Sequence, residues 1–177
     1  MAETKNIMIV GVGGQGTLLT SRILGGITVE NGYDVKLSEV HGMAQRGGSV
    51  VTYVRYGEKV TEPIVEEGQA DVLIAFEKLE ALRYAHFLKK DGVIIVNDQK
   101  IDPMPVVTGV AKYPEGIIEH LSEKYKVISV AELYDLASIT THNYTCNNYG
   151  WVDLRGSSVV RVRDGYILKL PRALAID

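Results

Sequence analysis

At 177 residues, 46% apolar and 23% charged, the chain has the makeup of one ordinary soluble domain, able to bury about 70% of its extended surface. A net charge of −3 gives no electrostatic reason to expect a nucleic acid or an anionic membrane. The single cysteine, Cys146, excludes an internal disulfide framework and a self-contained iron–sulfur cluster held by four thiolates.

Residues 1–6 are too polar and short for a signal peptide, and the apolar run at 7–10 is far below membrane-spanning length. The expectation is a cytoplasmic protein. Ile7, Met8, Ile9 and Val10 read as a buried strand that stops at a glycine cluster. Residues 18–31 follow as an amphipathic helix with Leu19, Ile23 and Ile27 on one face, closed by Asn31 and Gly32. Val35 and Leu37 belong to a second short strand. Residues 50–56 form a third, and Gly57-Glu58 is expected to turn it back into a strand at 59–61. Residues 72–76 make a strand leading into a helix at about 77–88. A turn at 89–92 precedes the strand at 93–97. Asp102, Pro103, Met104 and Pro105 read as a stiff turn. Residues 117–125 are helical, 127–130 extended, and another helix starts at 131–137.

Near-continuous apolar strands alternating with amphipathic helices predict an α/β fold: a three-layer, doubly wound, mostly parallel sheet of Rossmann-like type. Two stretches then stand out at the edge where such folds place ligands. The first is Gly11, Gly13, Gly14, Gln15, Gly16 and Thr17, a Gly-x-Gly-x-x-Gly pattern between strand and helix. Its glycines suit a tight turn and close backbone approach, and the helix start favours an anion. Thr17 could cap the helix or donate to a phosphate. Equally, the glycines could simply let the helix start close to the sheet.

The second stretch, 38–49, holds Glu39, His41, Gln45, Arg46, Gly47 and Gly48. Arg46 offers a fork suited to carboxylates and phosphates, and the paired glycines allow an anion-binding nest beside it. The alternative is that Arg46 pairs with Glu39 and fixes the loop's shape. His41 could carry a proton or orient a backbone carbonyl. The remaining histidines, 86, 120 and 142, have no metal-ligand spacing, so no metal site is expected. No catalytic group is assigned to this chain.

Together these stretches resemble the gamma-type subunit of the 2-oxoacid:ferredoxin oxidoreductases, and most closely the beta subunit of their indolepyruvate branch. The residues at 63–73, 76–84 and 96–99 extend the resemblance, which runs from Asn6 to Ala137. It implies a small subunit that makes acyl-CoA, carbon dioxide and reduced ferredoxin only together with a larger one. Thiamine diphosphate, magnesium and the iron–sulfur clusters would sit on that larger subunit, none on this chain, and coenzyme A would be a substrate. This chain would shape the active site or the coenzyme A region, with Gln15, Arg46, Glu77 and Asn97 lining one polar rim. Ferredoxin would meet it through the complex.

Residues 1–137 are therefore read as the oxidoreductase gamma-type domain, and 138–177 as its divergent tail. There the family pattern expects Gly-Asn and an apolar run; this chain instead carries a hairpin signal at 158–170 around Asp164-Gly165. A replaced tail or an altered reading frame would each give that result. Three rival readings are a free-standing NAD-dependent reductase using the first glycine cluster, an adenylating enzyme of the ubiquitin-activating type, and an assembly module. The adenylating reading lacks the paired cysteines of a zinc clip. For the NAD reading, Glu39 lies near the position of a ribose-binding acid.

Overall fold

The computed structural model describes residues 3–41 and 48–129, and beyond them the strands at 149–150, 158–162, 165–169 and 174–175. The chain forms two compact units, Met1–Leu133 and Tyr134–Asp177. In the first, β1 (Lys5–Val12), α1 (Thr17–Glu30), β2 (Asp34–His41), β3 (Ser49–Gly57) and β4 (Ala70–Ala75) come first. Then follow α2 (Lys78–Tyr84), a 3-10 turn at Ala85–Phe87, β5 (Leu88–Val96), α3 (Met104–Val107), α4 (Ile117–Lys124) and β6 (Lys126–Ser129).

The six strands form one sheet in the order β2-β3-β1-β4-β5-β6. β1, β4, β5 and β6 are parallel neighbours, whereas β3 runs antiparallel to both β1 and β2. The fold is thus the expected α/β type with a mostly parallel sheet. The antiparallel strand was not foreseen, because a strand flanked on both sides is apolar whichever way it runs. Glu39 and His41 consequently lie in β2, paired with Thr52 and Val50, rather than in a loop. The second strand of the expected turn at Gly57-Glu58 is absent, since residues 58–61 are irregular. The expected turn at 89–92 is instead an irregularity within β5, between the pairs Ala70–Leu88 and Val72–Val93. The stiff turn at 102–105 gives way to α3, whose first residue follows Pro103.

One face of the sheet carries the main core. Met8, Val10, Val51, Leu73, Ala75, Ile94 and Val96 pack there against Leu79, Ala81, Ile117 and Leu121 of α2 and α4. On the other face α1 lies over β1, β2 and β3. Its buried positions are Thr17, Ser21 and Gly25, not the expected stripe of Leu19, Ile23 and Ile27; Ile27 is 51% exposed. Small residues let the helix sit close, and the Leu37 side chain fills the space where a Cβ on Gly25 would project.

Thr52 is fully buried in β3, and its hydroxyl has no hydrogen-bond partner. A dry, unpaired hydroxyl costs about 1–3 kcal/mol, whereas an apolar group of the same shape does not. Thr52→Val should therefore raise stability by about 1 kcal/mol in a denaturant titration. An unchanged or lower midpoint would show that the hydroxyl has a partner in solution.

The second unit holds two antiparallel pairs. β7 (Tyr149–Gly150) pairs with β10 (Leu174–Ala175), and β8 (Ser158–Val162) with β9 (Gly165–Lys169). The latter is the hairpin expected around Asp164-Gly165.

Candidate functional site

The carboxyl ends of β1, β2, β4 and β5 and the start of β3 share one edge. β1 leaves the sheet at Val12, and the chain turns through the glycine cluster into α1. Gly14 and Gly16 have φ of 100° and 90°, a left-handed region where a side chain would be strained. Gly16 is the N-cap, and no side chain caps the helix. Thr17, the first helical residue, is instead buried. The positive end of α1 is therefore presented by backbone alone.

This turn and the β2–β3 hairpin meet directly. The Gly13 N–H donates to the Gly48 carbonyl at 2.9 Å, just before Ser49 pairs with Val12 across the sheet. The six intervening residues, including Gln45, Arg46 and Gly47, and the His41 side chain lie outside the described residues. Glu39 is separated from the glycine turn by the whole of β3, about 10 Å or two inter-strand steps. A dinucleotide site wants its acidic residue on the strand next to β1, so the inserted strand weighs against NAD.

Gln15 turns inward. Its Oε1 accepts the Val12 N–H at 2.7 Å, while Nε2 donates to the Phe76 carbonyl and to Gln99 Oε1, each at 2.9 Å. The Asn97 amide also approaches the Phe76 carbonyl, at 3.4 Å. Gln15 and Asn97 thus do converge, on a carbonyl at the end of β4, and with them Gln99. An amide that both donates and accepts can hold three chain segments together in this way.

Glu77 does not join that rim. Its side chain is fully buried and caps α2 by accepting the Glu80 N–H at 3.0 Å. The other carboxylate oxygen accepts the Ile101 N–H at 3.2 Å and the Tyr113 hydroxyl. Burial, together with the Glu77 hydrogen bond, pushes the Tyr113 phenol well above its ordinary range, so it remains a donor. An acidic residue at a strand-to-helix turn is an N-cap signal, which explains the difference from the sequence reading.

Next to this turn lies a cavity of about 640 Å³, with Lys78, Asp98, Lys100, Tyr113, Gly116 and Ile118 among its walls. Lys78 pairs with Asp98 at 2.8 Å, and the Lys100 ammonium sits 4.9 Å from the Tyr113 ring centre. Sequence reasoning also missed Ser49, Glu80 and Tyr84, which form a part-buried network, with Glu80 itself buried, at the start of β3. Among the described residues no cluster of His, Cys, Asp and Glu could hold a metal ion, and no helix is long and apolar enough to cross a membrane.

With this α/β layer and its paired turns in view, residues 6–145 match the family model described as pyruvate ferredoxin/flavodoxin oxidoreductase. The chain belongs to that family. Indolepyruvate oxidoreductase subunit IorB of Thermococcus kodakarensis is 51% identical over 109 residues, 62% of this chain and 54% of that protein. The subunit of the same name from Archaeoglobus fulgidus is 52% identical over 122 residues, 69% of this chain and 60% of that protein. The chain therefore spans between about half and three fifths of these relatives. A solved 2-oxoglutarate:ferredoxin oxidoreductase from Magnetococcus marinus, with 2-oxoglutarate, coenzyme A and succinyl-CoA bound, aligns with a TM-score of 0.50. That alignment has 16% identity and covers 77% of this chain and 21% of the other, a likeness of fold.

Proposed function

We propose that this chain is the small subunit of a thiamine-diphosphate-dependent 2-oxoacid:ferredoxin oxidoreductase acting on aryl pyruvates such as indolepyruvate. The products are an acyl-CoA, carbon dioxide and reduced ferredoxin. The chain cannot build a four-thiolate cluster from its one cysteine, so the clusters are assigned to a larger partner subunit, and the thiamine diphosphate with them. Ferredoxin is met through the complex, in the cytoplasm. This subunit shapes the region where coenzyme A approaches.

The observation that carries the reading is the Gly13–Gly48 hydrogen bond. It joins the uncapped start of α1 to the base of the loop that holds Arg46. A helix start attracts anions and a guanidinium binds phosphate in a fork, so the pair suits the phosphates of coenzyme A. The identity to two subunits named for indolepyruvate oxidoreductase supports the substrate class. The coenzyme A in a protein of like fold supports the ligand.

The test is to co-purify the chain with its larger subunit and assay coenzyme A-dependent ferredoxin reduction by indolepyruvate. Arg46→Ala should raise the KM for coenzyme A about tenfold, the effect of losing one charge-assisted contact, with an unchanged unfolding midpoint. An unaltered KM and kcat would remove Arg46 from the reading. Calorimetry should show no binding of NAD.

A further inference from the structure

We infer that Glu80 is a positioning residue for the glycine edge: through the Ser49 hydroxyl it fixes the point where Gly48 accepts the Gly13 N–H. The inference rests on the proposed role of that edge in binding coenzyme A, and it adds residues which that role does not name.

Ser49 is the first residue of β3, and its backbone pairs with Val12, the last residue of β1. Its hydroxyl donates to Glu80 Oε2 at 2.5 Å and lies 3.2 Å from the Tyr84 hydroxyl. Ser49 has one proton, and an ionised carboxylate can only accept. The Tyr84 proton must then point at Ser49, giving a directed chain from Tyr84 through Ser49 to Glu80. Such chains polarise their members and hold them in one arrangement. The other Glu80 oxygen faces Arg83 Nη1 at 3.2 Å. One residue before Ser49, the Gly48 carbonyl takes the Gly13 N–H. Consecutive residues thus grip α2 by a side chain and the glycine turn by the backbone.

Packing alone does not call for this carboxylate. Glu80 is 4% exposed, and burial holds its carboxyl above the usual range, with Ser49 and Arg83 pulling it back and Glu77 adding to the rise. A buried ionised group is commonly matched or bettered in stability by an apolar residue of similar volume. What the carboxylate supplies, and an apolar side chain could not, is an acceptor that fixes the serine rotamer.

The experiment uses the assembled two-subunit complex with Ser49→Ala, Ser49→Thr, Glu80→Gln and, for reference, Arg46→Ala. Deuterium exchange of the peptide spanning residues 11–17 should speed up in Ser49→Ala and return to the parent rate in Ser49→Thr, which keeps the hydroxyl. The KM for coenzyme A should rise about five- to tenfold in Ser49→Ala and Glu80→Gln, with kcat changed less than twofold, the pattern of lost ground-state binding. Unchanged exchange in Ser49→Ala overturns the inference, whatever Arg46→Ala does. Faster exchange with an unaltered KM in all variants supports the positioning role and instead sinks the coenzyme A reading.

Discussion

Glu77→Ala is expected to lower the unfolding free energy by about 3 kcal/mol, the low end for a lost N-cap plus two part-buried donors left unpaired. The carboxylate is fully buried and accepts from three donors: the Glu80 N–H, the Ile101 N–H and the Tyr113 hydroxyl. Loss of the N-cap alone costs about 1 kcal/mol. The two remaining donors would be left without an acceptor, each worth about 1–3 kcal/mol. Glu77→Gln should do about half the damage, because its carbonyl still accepts and the Tyr113 hydroxyl can turn to receive the new N–H. Urea unfolding of the three proteins is the measurement. Equal midpoints for alanine and parent would show that the buried carboxylate is dispensable. Since Ile101 follows β5 and Tyr113 precedes α4, the same variant should loosen the walls of the neighbouring cavity.

The second large effect is expected from Gly11→Ala. A Cβ at that position would lie 2.9 Å from Gln15 Oε1 and 3.1 Å from both Phe76 Cβ and Thr17 Cγ2. Gln15 cannot swing aside freely, because Val12, Phe76 and Gln99 hold both ends of its amide. Overpacking of this kind costs about 1–3 kcal/mol. The double variant Gly11→Ala/Gln15→Ala tests the cause. If the clash with the amide dominates, the double variant should lose at least 0.5 kcal/mol less than the sum of the single losses, roughly the threshold for coupled neighbours. Strict additivity would place the strain at Phe76 or Thr17 instead.

How much of this could be read from the chain differs from element to element. β1, β4 and the second half of β5 were legible because each has a run of apolar residues next to a glycine, acidic or helical signal, whereas Lys89 to Gly92 read as a turn and lie within β5. The Gly-x-Gly-x-x-Gly spacing placed the first turn correctly. Periodicity failed on α1: Leu19, Ile23 and Ile27 share a helical face, yet Thr17, Ser21 and Gly25 face the sheet, because close approach rewarded small volume over hydrophobicity. The direction of β3 was not legible, since pairing partners lie far away in sequence. Glu80 escaped notice for a similar reason. Three residues from Arg83 it reads as an ordinary exposed helix pair, and only the fold brings Ser49 over it. Asn97 and Gln15, expected on one rim, meet at the backbone carbonyl of Phe76, which carries no sequence signal.

The placement of β3 between β1 and β2 has a mechanical corollary. A strand laddered on both edges cannot slip by one residue without turning its whole apolar set to the wrong face. The two strand ends at His41 and Ser49 are therefore held at fixed heights against Val50 and Val12. Whatever sequence is spliced between those ends starts and finishes at set points, so its anchorage is decided by the ladder and not by its own composition.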